Sequence, residues 1–267
     1  MNSQDKIKVF EPVLNEFETE EVKLWLQDMI VQIPDYIFSM PSSTTGKHHN
    51  KTQCLPHGQI YHALMFCAIA NYRLGLKYNK EKYPEARCRD GMRCIGILHD
   101  AIKCGWNAGQ FTVHDHPMLA GEWVRTAKVE HDIDEELKEF IASLCESHSG
   151  EWTTAKRGSK VVLPEPKTEA EMFCHECDYL ASRNNIDMEI PEYLNEIFGA
   201  ADAQAIAEFD IDNYILPFGK YKGIKLIDVY KEKPDYVSWM KSEIRRKDVQ
   251  DAIAALEKKV SEEDDDL

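Results

Sequence analysis

Six residues in this chain have the chemistry of metal ligands and fall where the sequence pattern turns inward: His62, the adjacent pair His99-Asp100, His116, His148 and Asp178. The pair follows the apolar run Cys94-Ile95-Gly96-Ile97-Leu98. Ile95, His99 and Ile102 share one helix face at spacings of four and three, so the imidazole is directed with core residues. Buried polar groups destabilise a fold unless something satisfies them. A hydrogen bond between the two neighbours would do so, and so would a metal ion. Taken as a set, the imidazole and carboxylate donors suit Mn²⁺, Fe²⁺, Ni²⁺, Zn²⁺ or Mg²⁺. Four histidines and two aspartates are enough for one or two such ions, with Asp100 placed to bridge a pair. Two ions would activate a water and clamp a phosphoryl oxygen.

These residues need helices to position them. Val22, Trp25, Leu26, Met29 and Ile30 predict an amphipathic helix from Thr19, a plausible N-cap, to Val31. A second helix, from about Gly58 to Leu76, puts His62 on a face with Met65, Phe66 and Ile69. Tyr78 to Asp90 reads as a charged loop. Asp90 is a plausible cap for the helix that carries His99 and ends near Gly105. Pro117 suits the first turn of a helix through Thr126, just after His116. Asp134 caps a helix whose buried stripe, Leu137, Phe140, Ile141, Leu144 and Cys145, next reaches His148; Ser149-Gly150 ends it. Thr168 and Glu171 form a capping box for a helix with Cys174, Asp178 and Ala181 on one face. Pro191 opens a further helix through about Ala207. The segment has essentially no alternating strand pattern and reads as all-α.

The 267 residues allow one sizeable domain and a small second one. Apolar content is 43% and charged content 30%, as in ordinary globular chains. No apolar run approaches the roughly 20 residues of a membrane span. The polar stretch Met1–Glu11 lacks a signal-peptide core, and the eight cysteines have no secretory context. Free thiols in the cytoplasm are therefore expected. Cys174-His175-Glu176-Cys177 has no second CxxC at zinc-finger spacing, so its thiols are expected to pack in a core. His57, His114, His131 and His175 are read as surface or secondary residues. A net charge of −15 argues against a protein that coats nucleic acid with its whole surface, but not against a local basic patch.

Order and context give the six residues a family likeness. Leu98-His99-Asp100-Ala101-Ile102-Lys103, His116-Pro117 with Gly121, His148-Ser149-Gly150-Glu151-Trp152, and Cys177-Asp178-Tyr179-Leu180-Ala181-Ser182-Arg183 together resemble the HD-domain metal-dependent phosphohydrolases, in a bacterial and phage branch. Upstream, Gly46-Lys47-His48-His49-Asn50 and Gly58-Gln59-Ile60-Tyr61-His62 resemble that branch's loop and first-ligand motif. His57 stands where the family usually has a second small residue, and Ile102 where its central motif has glycine. The resemblance covers about residues 40 to 185. It implies an all-α HD-domain helical core, with His62, His99, Asp100, His116, His148 and Asp178 as metal ligands. It also implies Asp100 and Lys103 as catalytic residues. Lys47 and His49 are candidate substrate contacts, with solvated loop positions as the alternative. Trp152 would stack on a base or pack in its loop.

Beyond Asp210–Asn213 the texture changes. From Tyr214 to Lys247 nine Lys/Arg face four Asp/Glu, a basic segment in an acidic chain. Ile215 to Leu226 is Gly-punctuated and β-leaning. Helices are expected from Pro234 to Ile244 and from Val249 to Val260. Pro217-Phe218-Gly219-Lys220-Tyr221-Lys222-Gly223 with Pro234-Asp235-Tyr236-Val237-Ser238-Trp239 resembles the small domain found after exonucleases of the exodeoxyribonuclease X kind. Lysines interleaved with aromatics could track a phosphate backbone and stack bases, or the aromatics could simply form a small core.

The expected organisation is an N-terminal helical extension (1–40), the HD core (41–210), a small basic α+β domain (211–257) and an acidic tail (258–267). The expected function is hydrolysis of a phosphoester or phosphoanhydride of a nucleotide. The alternatives are a nuclease acting on single-stranded DNA or RNA ends and a non-catalytic nucleic-acid-binding module.

Overall fold

Apolar residues at helical spacing account for nearly all the regular structure. The computed structural model describes residues 1–43, 49–109, 112–155, 159–186, 190–198 and 214–244, with Val249, Gln250, Ala252, Ile253 and Leu256. The chain divides into two compact units, Met1–Ile197 and Phe198–Leu267. Among the described residues the β component is a pair of isolated antiparallel bridges, Thr154–Val162 and Ile215–Lys225.

The first unit begins with α1 (Ser3–Val9), α2 (Glu11–Leu14) and α3 (Glu20–Gln32). It continues with α4 (Gly58–Gly75), α5 (Lys77–Lys82) and α6 (Ala86–Leu98). Then come α7 (His116–Thr126), α8 (Glu135–Ser147), α9 (Glu169–Ala181) and α10 (Tyr193–Phe198). The α4 helix packs on α6 and α9, and α8 packs on α6, α7 and α9. The crossing of α4 and α6 is tight because Gly96 has no side chain. A Cβ there would lie 2.4 Å from Cys67 Sγ and 2.9 Å from Phe66 Cδ1. His62 lies N-terminal to that crossing on α4 and His99 just C-terminal to it at the end of α6, so the close approach draws the two rings together.

Several local expectations hold. Val22, Trp25, Leu26, Met29 and Ile30 are the buried face of α3. Asp134 Oδ1 accepts from the Leu137 amide at 2.9 Å, and Thr168 and Glu171 form the reciprocal capping box of α9. All eight thiols are free, and those of Cys174 and Cys177 are buried. No helix of the described residues is long and apolar enough to cross a membrane.

Other expectations need correction. The stretch read as a charged loop before Asp90 contains α5 and the first turn of α6. Asp90 is not a cap of its own helix but a fully buried residue within it. Its carboxylate accepts from the Glu18 and Thr19 amides at 3.1 and 2.8 Å, from the Thr19 hydroxyl at 2.6 Å and from Arg93 at 2.7 Å. Thr19 thus makes no side-chain cap bond to α3, because its hydroxyl is spent on Asp90. A carboxylate from a distant helix thus fixes the chain just ahead of α3, through amides that precede its first turn. The helix carrying His99 ends at Leu98, not Gly105, and hydrogen-bonded turns follow.

In the second unit, α11 (Leu226–Glu232) and α12 (Pro234–Glu243) pack together. The helix α11 follows directly on the segment read as β-leaning. Leu216, Leu226, Val229, Val237, Met240, Val249, Ala252, Ile253 and Leu256 form this unit's own core. Phe218, Tyr221 and Tyr236 pack against that core, as the structural alternative for these aromatics required, while Trp239 stays about half exposed. Most of the expected helix through Val260, the stretch from 199 to Ala207 and the acidic tail lie outside the described residues.

Candidate metal centre

The six inward residues arrive from five helices. His62 comes from α4, His99 and Asp100 from the end of α6, His116 from the start of α7, His148 from the end of α8 and Asp178 from the last turns of α9. They form two triads, His62–His99–Asp178 and Asp100–His116–His148, buried except for a partly exposed Asp178; within each, one ligand atom per residue lies within 4.8 Å of the others. His62 Nε2 is 3.0 Å from Asp178 Oδ1 and 3.2 Å from His99 Nε2. Asp100 Oδ1 is 2.9 Å from His116 Nε2 and 3.9 Å from His148 Nε2, and its Oδ2 is 3.7 Å from His99 Nε2. Asp100 therefore stands between the triads.

Backbone carbonyls select which ring nitrogen faces the centre. Nδ1 of His99, His116 and His148 each lies 2.7 Å from a carbonyl oxygen, of Ile95, Val113 and Cys145 respectively. Nδ1–H donates there, which leaves Nε2 of each ring facing inward as the atom a metal would take. Helix ends supply two of those carbonyls, since His99 and His148 each follow a helix one turn after their acceptors, and the turn leading into α7 supplies the third, to His116. Gly150, at a left-handed φ of 62°, turns the chain just after His148.

The electrostatics favour a cation. Burial opposes ionisation of Asp100, but Lys103, His99 and His116 hold its carboxyl well below the usual range. Burial likewise opposes ionisation of Asp178, and hydrogen bonds from His62 and His99 overcome it. Burial also works against charge on His99, yet Asp100 and Asp178 raise its pKa above the ordinary value. Burial, reinforced by His99 and His116, lowers His148 to about 3, so this ring is neutral and its lone pair free at neutral pH. Two ionised carboxylates among inward lone pairs fit one or two divalent ions. The buried Nδ1 of His62 has no hydrogen-bond partner.

The remaining sequence candidates separate. Lys103 Nζ is 2.7 Å from Asp100 Oδ2 and 3.3 Å from Gln59 Oε1, so it borders the centre. His49 Nδ1 lies 2.7 Å from Gln53 Oε1, and its ring centroid is 5.5 Å from that of His62. Burial, with the charge of His62, lowers its pKa to about 4, so it is a neutral half-buried ring and not a solvated cation. Lys47 lies outside the described residues. Trp152 is 54% exposed, and its ring runs nearly parallel to that of Tyr179.

Gln59, His57 and His175 were not singled out by sequence. Gln59 is buried and its Nε2 reaches Asp100 Oδ2 at 3.3 Å. His57, read as a surface or secondary residue, is buried, and its Nδ1 meets the Phe38 carbonyl. His175 is half-buried, with Nδ1 2.8 Å from the His148 carbonyl oxygen. The signal that finds two of them is helical: Gln59 stands three residues before His62, and His175 three before Asp178, each on its ligand's face.

Residues 216–245 match a family described as exodeoxyribonuclease X-like C-terminal. No curated protein is significantly similar to the chain. No solved structure is significantly similar to it either.

Proposed function

We propose that the first unit is an HD-type metal-dependent phosphohydrolase that cleaves a phosphoester or phosphoanhydride of a nucleotide. The observation that supports this most is the convergence of two His/Asp triads on Asp100, with three Nδ1 positions tied to backbone carbonyls. His62, His99 and Asp178, and Asp100, His116 and His148, are the residues that would hold the metal. When bound, divalent ions supply Lewis acidity, polarising a phosphoryl oxygen and making water a nucleophile at neutral pH. The chain's own part is to hold these donors rigid. Lys103 keeps Asp100 ionised and oriented, and presents an ammonium at the rim where phosphoryl charge would develop. Gln59 holds the same carboxylate oxygen and fixes its rotamer.

A second reading, a nuclease acting on single-stranded ends, is favoured by the exodeoxyribonuclease X-like match and by the lysines of the same segment. The test is a phosphate-release screen with Mn²⁺ and Mg²⁺ over nucleoside mono-, di- and triphosphates, cyclic nucleotides and end-labelled oligonucleotides, with Asp100→Ala as control. Mononucleotide turnover supports the first reading, and turnover of oligonucleotides alone the second. Oligonucleotide binding without metal and without turnover would leave a non-catalytic binding module.

A further inference from the structure

Next to the triads lies an aromatic stack that the proposed chemistry does not use. Trp152 is 54% exposed and Tyr179 40% exposed. Their ring planes are within 6° of parallel at a centroid distance of 6.0 Å. The Arg183 guanidinium lies 4.0 Å from the Tyr179 ring centroid, and its Nε donates to the Tyr179 carbonyl at 3.0 Å. Single exposed aromatics are ordinary, as Tyr72 and Tyr78 are here, but two parallel rings side by side make a contiguous flat apolar surface suited to a flat partner.

The stack is fastened to both triads. Tyr179 follows Asp178 on α9, and Trp152 stands four residues after His148. His175 joins the two sides: its Nδ1 meets the His148 carbonyl and its ring lies edge-on to Trp152 at 6.0 Å. Gly150 makes this possible, since a Cβ there would stand 2.1 Å from His175 Cε1. The loop from His148 to Trp152 therefore closes over His175 and holds the indole beside the ligand-bearing end of α9.

We infer that Trp152 and Tyr179, flanked by Arg183, form a platform that receives the nucleobase of the nucleotide whose phosphate enters the candidate metal centre. This rests on the phosphohydrolase reading and deepens it by naming where the base of the nucleotide would bind. Stacking is tolerant of base identity because every base has a π face. The guanidinium over the Tyr179 ring adds a cation to the same aromatic surface.

The test compares adenosine 5′-monophosphate with ribose 5-phosphate as probes on the Mg²⁺-supplied full chain, with affinities from saturation-transfer NMR. Small probes avoid tethering through the basic second unit. The wild type should favour the nucleotide about tenfold, the scale of one stacked base. Trp152→Ala should erase that preference and leave ribose 5-phosphate affinity unchanged, while Trp152→Phe should keep most of it. Tyr179→Ala makes the same measurement should Trp152→Ala fail to fold. No preference in the wild type, or a variant that weakens both probes equally, would overturn the platform. Metal-dependent turnover without base preference removes the platform and leaves the phosphohydrolase. A Trp152-dependent preference without any turnover does the reverse.

Discussion

His116 Nε2 lies 2.9 Å from Asp100 Oδ1, while the other oxygen of the same carboxylate is held by Lys103 at 2.7 Å. One carboxylate thus links a helix start, a helix end and a partly buried lysine. Asp100→Ala should remove bound metal and all turnover while the helical circular dichroism is retained. Metal content by plasma mass spectrometry decides it: a variant that keeps wild-type metal and activity would sink the proposed centre.

The crossing of α4 and α6 depends on Gly96. Gly96→Ala places a methyl 2.4 Å from Cys67 Sγ and 2.9 Å from Phe66 Cδ1. Overpacking of this kind costs about 1–3 kcal/mol, to be read as a lower midpoint in urea. Adding Cys67→Ala should recover part of the loss, because it removes the nearer atom. Additive losses in the double variant would mean that the two residues do not meet.

Acid should unfold the first unit in part through Glu18. Hydrogen bonds from Arg89 and Arg93 lower its carboxyl from 4.5 to about 2, against the opposing effect of burial. The native state therefore binds fewer protons than the unfolded chain between those values. Its contribution is fully present above about 4.5 and is lost as pH falls toward about 2. Glu18→Gln should lower the melting temperature at pH 7 and flatten its fall between pH 5 and pH 3 relative to wild type. An unchanged acid limb would show that this network adds nothing.

The second unit makes a separate prediction. Lys220 Nζ sits 5.5 Å from the Tyr221 ring centroid, on a turn closed by Gly223. If the unit follows a nucleic-acid backbone, Lys220→Glu with Lys222→Glu should weaken binding of a single-stranded oligonucleotide. It should also reduce the slope of log K against log salt by about 0.7 per lost phosphate contact. Fluorescence anisotropy across a salt series measures both, and an unaltered slope would remove these lysines from any interface.

By itself the sequence determined which residues have ligand chemistry and which helix faces carry them. Helical periodicity and local capping are short-range, so the boundaries of α4 and α8, the start of α9 and the caps at Asp134 and Thr168 were legible without a fold. Only the tertiary structure decided what those faces meet. The division of six residues into two triads depends on how α4, α6, α7, α8 and α9 cross. Those crossings are set by close approaches such as Gly96 against Cys67, which no periodicity encodes. Asp90 shows the same limit: beside a helix start it reads as a cap, yet it satisfies amides more than 70 residues away. Long-range hydrogen bonds of that kind are invisible in a linear pattern, because the donors become neighbours only when the helices pack.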